Sequence, residues 1–215
     1  MPYEAWLRFA RQCWDKYGQP KTVVDLGCGT GTIAIPLALE GYDTIGIDLS
    51  EDMLAIARHK ADEAAGGKPW PHGGKLSLLQ QDMREWELGR PADAVVSFCD
   101  CMNYILETDG LLAAFQQTYE GLKPGGTFLF DMHTPYQLQS YAEEQPFLLN
   151  EDDIAYIWTS EFDEERCEIE HALTIFVKDE DERFVRVDET HVQRAYSLDT
   201  VAALLRRAWF AEVAV

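Results

Sequence analysis

Several polar and glycine residues in this chain fall at the expected ends of β-strands, and their types and spacing are suited to gripping a nucleoside. The run Val23-Val24-Asp25-Leu26-Gly27-Cys28-Gly29-Thr30-Gly31 reads as a buried strand, a sharp turn and a helix start. Glycines permit positive φ and let a ligand touch bare backbone. The helix N-terminus beyond them offers unpaired N–H groups and partial positive charge. The spacing is GxGxG, not the GxGxxG of a dinucleotide fingerprint, and Asp25 places a carboxylate beside the ligand position. That charge opposes a pyrophosphate but accepts an ammonium group, directly or through water. An amino-acid-bearing nucleoside therefore fits better than NAD. One βα unit later, Asp48 stands at a strand tip, where an acid can accept both ribose hydroxyls. Asp82 can accept from an adenine amino group, and the Met83 N–H can donate to a ring nitrogen. Asp100, Asn103 and Tyr104 follow an apolar strand on the same expected edge of the sheet.

The elements that position these residues follow from periodicity. Tyr3, Trp6, Leu7, Ala10, Cys13 and Trp14 form a helical stripe that Gly18 and Pro20 end. Strands are expected at 22–26, 43–48, 76–80, 94–98 and 127–132. Helices are expected at 32–40, from the Ser50 N-cap to about Ala65, and at 111–122, with Lys123–Gly126 as a turn. Pro36 is tolerable in its helix only near the first turn. This βα alternation predicts an α/β fold, a Rossmann-like doubly wound and mostly parallel sheet. After His133 the rhythm changes to period two. Segments 154–162, 167–177 and 184–196 read as an inserted antiparallel three-stranded meander, with Ile154, Tyr156, Trp158 and Phe162 on one face. His171 and His191 could face inward from it. A helix at 200–207 and a sixth strand at 210–215 return to the core. The domain reading is 1–139 core, 140–196 insertion acting as a substrate lid, and 197–215 core.

Composition narrows the partners. The chain has 215 residues, 47% of them hydrophobic, enough for a real core in one domain with an insertion. It lacks both a run of apolar residues suited to a membrane helix and the order of a secretory signal at its start. Eighteen basic residues against 38 acidic give a net charge of −20, which repels phosphate backbones and anionic lipids. Nucleic acid and membrane are thus not the expected partners. Between Tyr141 and Thr190 stand 17 acidic and 4 basic residues, so the insertion holds most of the charge. That is either a solvated outer face or an attractive wall for a cationic acceptor. The five cysteines (13, 28, 99, 101 and 167) read as reduced thiols of a cytoplasmic protein, and no metal-binding pattern is present.

The set VVDLGCGTG (Val23–Gly31), GIDLS (Gly46–Ser50), QDM (Gln81–Met83), AVVSFCDCMNYI (Ala94–Ile105) and LKPGG (Leu122–Gly126) resembles class I S-adenosylmethionine-dependent methyltransferases. Tyr3, Trp6, the DCMNY stretch and the meander before the last helix resemble the bacterial YqeM-type small-molecule group. The resemblance implies S-adenosylmethionine as cofactor and S-adenosylhomocysteine as product. It implies that Gly27, Cys28 and Gly29 line the methionine part through backbone and that Asp25 faces its ammonium. Asp48 and Leu49 would hold the ribose, Met53 would pack on the adenine, and Asp82 and Met83 would read its edge. The Cys99 carbonyl would touch the ammonium or sulfonium side, and Tyr3 would close over the cofactor. Asp100, Asn103, Tyr104 and His133 would face a small-molecule acceptor, with Asp100 or His133 as base and Tyr104 as donor or orienter. Two departures stand out: Ala208-Trp209-Phe210 replaces the family's Ala-Gly-Phe, and the sequence stops at Val215, before a seventh strand. The sheet edge is then open to pairing with another chain. A non-catalytic S-adenosylmethionine-binding or interaction module, and an NAD-dependent oxidoreductase, are the alternative readings.

Overall fold

A computed structural model describes residues 2–179 and 181–215. Helix α1 (Tyr3–Tyr17) leads to β1 (Thr22–Leu26), α2 (Ala34–Leu39), β2 (Asp43–Asp48), α3 (Glu51–Ala65) and β3 (Lys75–Gln80). Then come β4 (Ala92–Ser97), α4 (Thr108–Gly121) and β5 (Leu122–Phe130). The five strands form a parallel sheet in the order β3-β2-β1-β4-β5. The order reverses direction between β1 and β4, and such a switch point opens a crevice beyond the carboxyl ends of the strands. β1 is buried along its whole length, as a central strand of a parallel sheet covered on both faces must be. Leu7, Ala10 and Trp14 of α1 pack with Val23, Leu37, Ala94 and Val96 in one core cluster, so the apolar stripe read from the sequence is the face that anchors α1.

The chain's contacts divide it into two compact units. The first holds residues 1–102, 109–131 and 204–215; the second holds 103–108 and 132–203. The division falls after 131 and 203, whereas the sequence placed it after 139 and 196. The second unit contains α5 (Pro135–Glu144), β6 (Phe147–Asn150), β7 (Ile154–Asp163), β8 (Glu168–Lys178) and β9 (Phe184–Arg194). The four strands form an antiparallel sheet in chain order. Leu138, Ile169 and Ala195 are its buried centre, with Tyr141 and Phe162 against them. Helix α6 (Leu198–Arg207) follows.

Four expectations are corrected. The meander has a fourth strand, β6, only four residues long. Helix α5 is an element beyond those expected; Thr134 Oγ1 caps it by accepting the Gln137 N–H, and Pro135 opens its first turn. The Lys123–Gly126 turn lies inside β5 as a bulge: Ala92 pairs with Leu122 and Ala94 with Thr127. Residues 210–215 form no strand. Their departure begins at a Schellman motif, in which the Phe210 N–H reaches Leu205 O and the Trp209 N–H reaches Arg206 O, both at 3.1 Å. Trp209 takes the left-handed conformation at φ 68° that a glycine adopts without strain. Phe210 then packs beside Phe128 and Tyr119. Pro36 falls in the first turn of α2, where it costs little.

Candidate cofactor and acceptor sites

The glycine turn after β1 is built as its sequence requires. Gly27 and Gly29 hold φ of 78° and 52°, values that carry a steric cost for residues with a β-carbon. A β-carbon on Gly27 would also lie 2.9 Å from the Cys101 sulfur and 3.4 Å from the Met83 methyl. Thus the turn, the segment after β4 and the segment after β3 meet at one bare stretch of backbone. The Cys28 side chain points away into a small core with Ala34 and Leu54, which leaves the residue's backbone as its contribution to the turn. The Ile35 N–H bonds to Gly31 O at 2.9 Å, so helical pairing starts within the glycine run itself.

Two carboxylates serve this turn differently. Asp48 Oδ2 accepts the Gly29 N–H at 2.7 Å, and Oδ1 accepts the Ser50 N–H at 2.9 Å. Ser50 in turn caps α3 from the Met53 N–H. Asp25 is 2% exposed, and its Oδ2 has no hydrogen-bond partner. Burial pushes its carboxyl up to about 7, against the Ala34 N–H, which favours the charged form, and with Asp48, which opposes it. A buried acid with an orphaned oxygen beside a bare glycine turn fits a ligand ammonium, and Asp48 keeps lone pairs free for hydroxyl donors. The residues present therefore fit an aminoacyl nucleoside.

The remaining sequence-derived cofactor residues are placed as follows. Leu49 and Met53 are exposed at 64% and 45%, unusual for such side chains and suited to covering a flat apolar ring. Tyr3 packs edge-on against Trp6 and interacts with the Cys99 thiol, while burial raises its phenol. Asp82 is different: its carboxylate accepts the Arg84 guanidinium at 2.5–3.1 Å and the Arg84 N–H at 2.8 Å. That pairing holds its carboxyl below the usual range. The sequence signal for Arg84 was its place two residues after Asp82, within reach of a short turn.

After β4, Cys99 and Asp100 both lie in the left-handed region, at φ 64° and 50°. Consecutive non-glycine residues there store strain of about 1–3 kcal/mol each, a feature that gathers at functional sites. The surroundings hold them in place. Ser97 Oγ donates to Leu26 O at 2.7 Å, the Asp100 N–H donates to Asp131 Oδ1 at 3.2 Å, and Cys101 Sγ donates to Phe98 O at 3.0 Å. Burial, aided by Asp100 and Asp131, pushes the Cys99 thiol up to about 12, and burial raises Cys28 and Cys101 too. All three stay as thiols at neutral pH, so they are poor rival nucleophiles for an electrophilic ligand.

The expected acceptor residues of the second unit divide into structural and accessible ones. Asn103 is fully buried; its amide donates to His133 O at 3.1 Å and Arg194 O at 2.8 Å and accepts the His133 N–H at 2.8 Å. It thus fastens His133 and β9 to the turn 101–104. His133 Nε2 lies 3.5 Å from the Tyr141 hydroxyl, with the rings edge to face. Tyr104 is 48% exposed, and its hydroxyl lies 3.2 Å from His191 Nδ1. His171, across the sheet, is buried: its Nδ1 is met by Trp158 Nε1 at 3.0 Å and by Ser160 Oγ at 2.8 Å, and burial lowers it to about 4.

Comparison with known proteins agrees with this geometry. A family model described as a methyltransferase domain matches residues 23–126. A methyltransferase-family protein of Geobacillus sp. (strain WCH70) is 37% identical over 211 residues, covering 97% of this chain and 82% of its own. The YqeM protein of Bacillus subtilis (strain 168), also named as a methyltransferase, is 33% identical over 210 residues, covering 97% and 80%. The crystal structure of an S-adenosylmethionine-dependent methyltransferase from Clostridium acetobutylicum ATCC 824 superposes with a TM-score of 0.84 at 28% identity, covering 97% and 80%. With the glycine turn, the two carboxylates at the tips of β1 and β2 and these relatives, of whose length the chain covers 80–82%, the chain belongs to the S-adenosylmethionine-dependent methyltransferases.

Proposed function

We propose that the chain methylates a small-molecule acceptor by in-line transfer. The observation that carries this reading is the orphaned, buried Asp25 oxygen next to the Gly27–Gly29 turn that Asp48 fastens. In this reading the backbone of Gly27, Cys28 and Gly29 lines the methionine part, and Asp25 meets its ammonium. Asp48 and Leu49 hold the ribose, Met53 covers the adenine, Met83 and Asp82 face its edge, the Cys99 carbonyl lies toward the ammonium or sulfonium side, and Tyr3 closes over the group. Asp82 keeps its Arg84 pairing, so its part in reading adenine depends on the lone pairs that Arg84 leaves.

S-adenosylmethionine supplies an electrophilic methyl on a sulfonium when bound. The chain's part is to hold the acceptor in line, to exclude water and to take a proton where the acceptor arrives protonated. Asp100, His133 and Tyr104 are the groups proposed for that proton, and Asn103 fixes the His133 backbone. The excess of acid between residues 141 and 190, with Tyr141, Phe147 and Trp158 packed together on the second unit, supports an amine-bearing or cationic acceptor and a lid role for that unit.

Free cysteines at all five positions fit a cytoplasmic location. Among the described residues no helix is long and apolar enough to cross a membrane. β5 is an outer strand of the parallel sheet, and pairing there with a second chain is the oligomer this reading allows.

Calorimetry with S-adenosylhomocysteine and with NADH tests the assignment: binding of the first alone supports it, and binding of NADH alone removes it. Release of labelled methyl from S-adenosylmethionine across amines, phenols and carboxylates then separates an enzyme from a non-catalytic binding module.

A further inference from the structure

The antiparallel sheet of the second unit has β6 and β9 as its outer strands. β6 is only four residues long. β9 runs for 11 residues, Phe184–Arg194, and pairs with β8 along its whole length without a register shift. Among the described residues no strand pairs with its other side. Such an edge carries a row of unpaired backbone N–H and C=O groups, a template for another strand, and proteins blunt it with proline, bulges, short strands or lysine. β9 has no proline, no lysine and no bulge. β5, an outer strand of the parallel sheet, is by contrast interrupted by its bulge.

The side chains along β9 are open as well. Phe184, Val185 and Val187 are 51%, 49% and 41% exposed. Cross-strand partners share a face, so the registers set Leu149, Tyr156, Ile175 and Val187 in one row across all four strands. Ile154, Val177 and Val185 form the neighbouring row on that face. Both rows are apolar, and both end exposed on β9. Arg186 and Asp188 point to the opposite face, two residues apart. The Asp188 carboxylate accepts the Arg186 guanidinium at 2.8 and 3.0 Å and the Thr174 hydroxyl at 2.8 Å, all on Oδ1. Oδ2 is left for a donor from beyond the edge.

This pattern makes β9 complementary to itself. Around a two-fold axis at Val187, an antiparallel pair sets Val187 opposite Val187 of the second copy, Arg186 opposite Asp188, and Asp188 opposite Arg186. The row from Leu149 to Val187 then runs unbroken across both copies. An axis one residue earlier sets Arg186 against Arg186, and one residue later sets Asp188 against Asp188; either places like charges together. Val185 meets Glu189 of the second copy, and the Glu189 carboxylate stays at the rim, 3.2 Å from its own His191 Nε2.

We propose that β9 is a homodimer interface, in which two copies pair edge to edge, antiparallel, with the axis at Val187. A second copy fits this edge better than an unrelated strand does, because the apolar rows and the charges of one β9 are answered by the same residues of another. The net charge of −20 on each copy opposes association at long range. At about 0.15 M salt, charges farther apart than ~8 Å are largely screened, and those beside the axis are of both signs. The interface lies within the second unit and holds whatever the chain binds or methylates.

Sedimentation velocity on the full chain, over a concentration series at that salt, tests the interface. The wild type should pass from monomer to dimer. Arg186→Asp and Asp188→Arg each set like charges across the axis, so each should dimerise roughly tenfold more weakly. Mixed in equal amounts, one brings two acids to the axis and the other two guanidiniums, and a mixed dimer at least as tight as the wild type should form. Loss of the Arg186–Asp188 pair within the strand cannot produce that recovery, since both variants in the mixture still lack it. Val187→Cys under mild oxidation should give a peptide bridged from 187 to 187 in mass spectrometry. Val185→Cys, which faces Glu189, should give no such bridge. A wild type that stays monomeric throughout, or a mixture no tighter than its two parts, would overturn the interface. So would a dimer indifferent to both charge reversals, which would place the contact on another surface such as β5, and so would a 185–185 bridge as abundant as 187–187.

Discussion

The Gly29 N–H donates to Asp48 Oδ2 at 2.7 Å, across nineteen residues of sequence and from the tip of one parallel strand to the next. This bond makes the glycine turn and the second acid a single object. The same carboxylate takes the Ser50 N–H with its other oxygen, so it also sets the entry to α3. An acid at this position is thus a clamp on the turn before it is a ligand group.

Removing Asp48 should accordingly do two things. Asp48→Ala frees the N–H groups of Gly29 and Ser50 and deletes an acceptor for ribose hydroxyls. Affinity for S-adenosylhomocysteine should fall by about 1.5–3 kcal/mol, the usual worth of hydrogen bonds to a charged group. Asp48→Asn retains one oxygen and should fall between the two. Calorimetry on the three proteins reads the series, and an unchanged Asp48→Ala affinity would take Asp48 out of the site.

The two glycines should respond unequally to alanine. Both positions demand positive φ, which costs about 1–2 kcal/mol for an L side chain. At Gly29 nothing lies within 4 Å of the added carbon, so that is the whole cost. At Gly27 the carbon also meets the Cys101 sulfur at 2.9 Å and its β-carbon at 3.1 Å. Gly27→Ala should therefore lower Tm further than Gly29→Ala in thermal unfolding. Equal losses would show that the segment after β4 yields freely.

The parallel half of the fold was legible because each signal was local. β1 is buried throughout around its Val-Val-x-Leu pattern, Gly18 stops α1, Ser50 caps α3, and the turn glycines sit at φ values only they take readily. What failed depended on distant partners or on short elements. The four residues of β6 pair with β7 at Phe147–Trp158, an aromatic contact with no periodic trace. Residues 210–215 have strand-like composition, but Phe210 packs against Tyr119 and Phe128 and the segment joins no ladder. At the site, residue types announced Asp25 and Asp48. The backbone role of Asn103, whose partners lie 30 and 91 residues away, is visible only in three dimensions.

Asn103 reads as an acceptor ligand in sequence, yet its amide is spent on backbone. Asn103→Ala would leave the His133 N–H and the carbonyls of His133 and Arg194 without their partner. Each buried unpaired group costs about 1–3 kcal/mol, and such losses are not additive. Hydrogen exchange at the His133 amide should rise sharply in this variant. Affinity for S-adenosylhomocysteine, measured alongside, should change little. Unaltered exchange with weakened cofactor binding would reverse the assignment.

Asp25 ties the site to pH. Its carboxyl is raised from 3.8 to about 7, chiefly by burial. A raised acid holds its proton in the folded chain at pH values where the unfolded chain has lost it. Its contribution to stability is therefore complete below about pH 4 and is lost as pH rises through about 7. At about 1.4 kcal/mol per pH unit, the loss amounts to at most ~4 kcal/mol. Asp25→Asn has no charge to bury, so its Tm relative to the wild type should climb between pH 5 and pH 8. Binding should show the opposite trend. A ligand ammonium favours the ionised form, so wild-type affinity for S-adenosylhomocysteine should strengthen with pH below about 7, by up to roughly tenfold per unit. Asp25→Asn should flatten that dependence. A wild-type affinity that is level from pH 5 to pH 7 would mean that the orphaned oxygen is not the ammonium's partner.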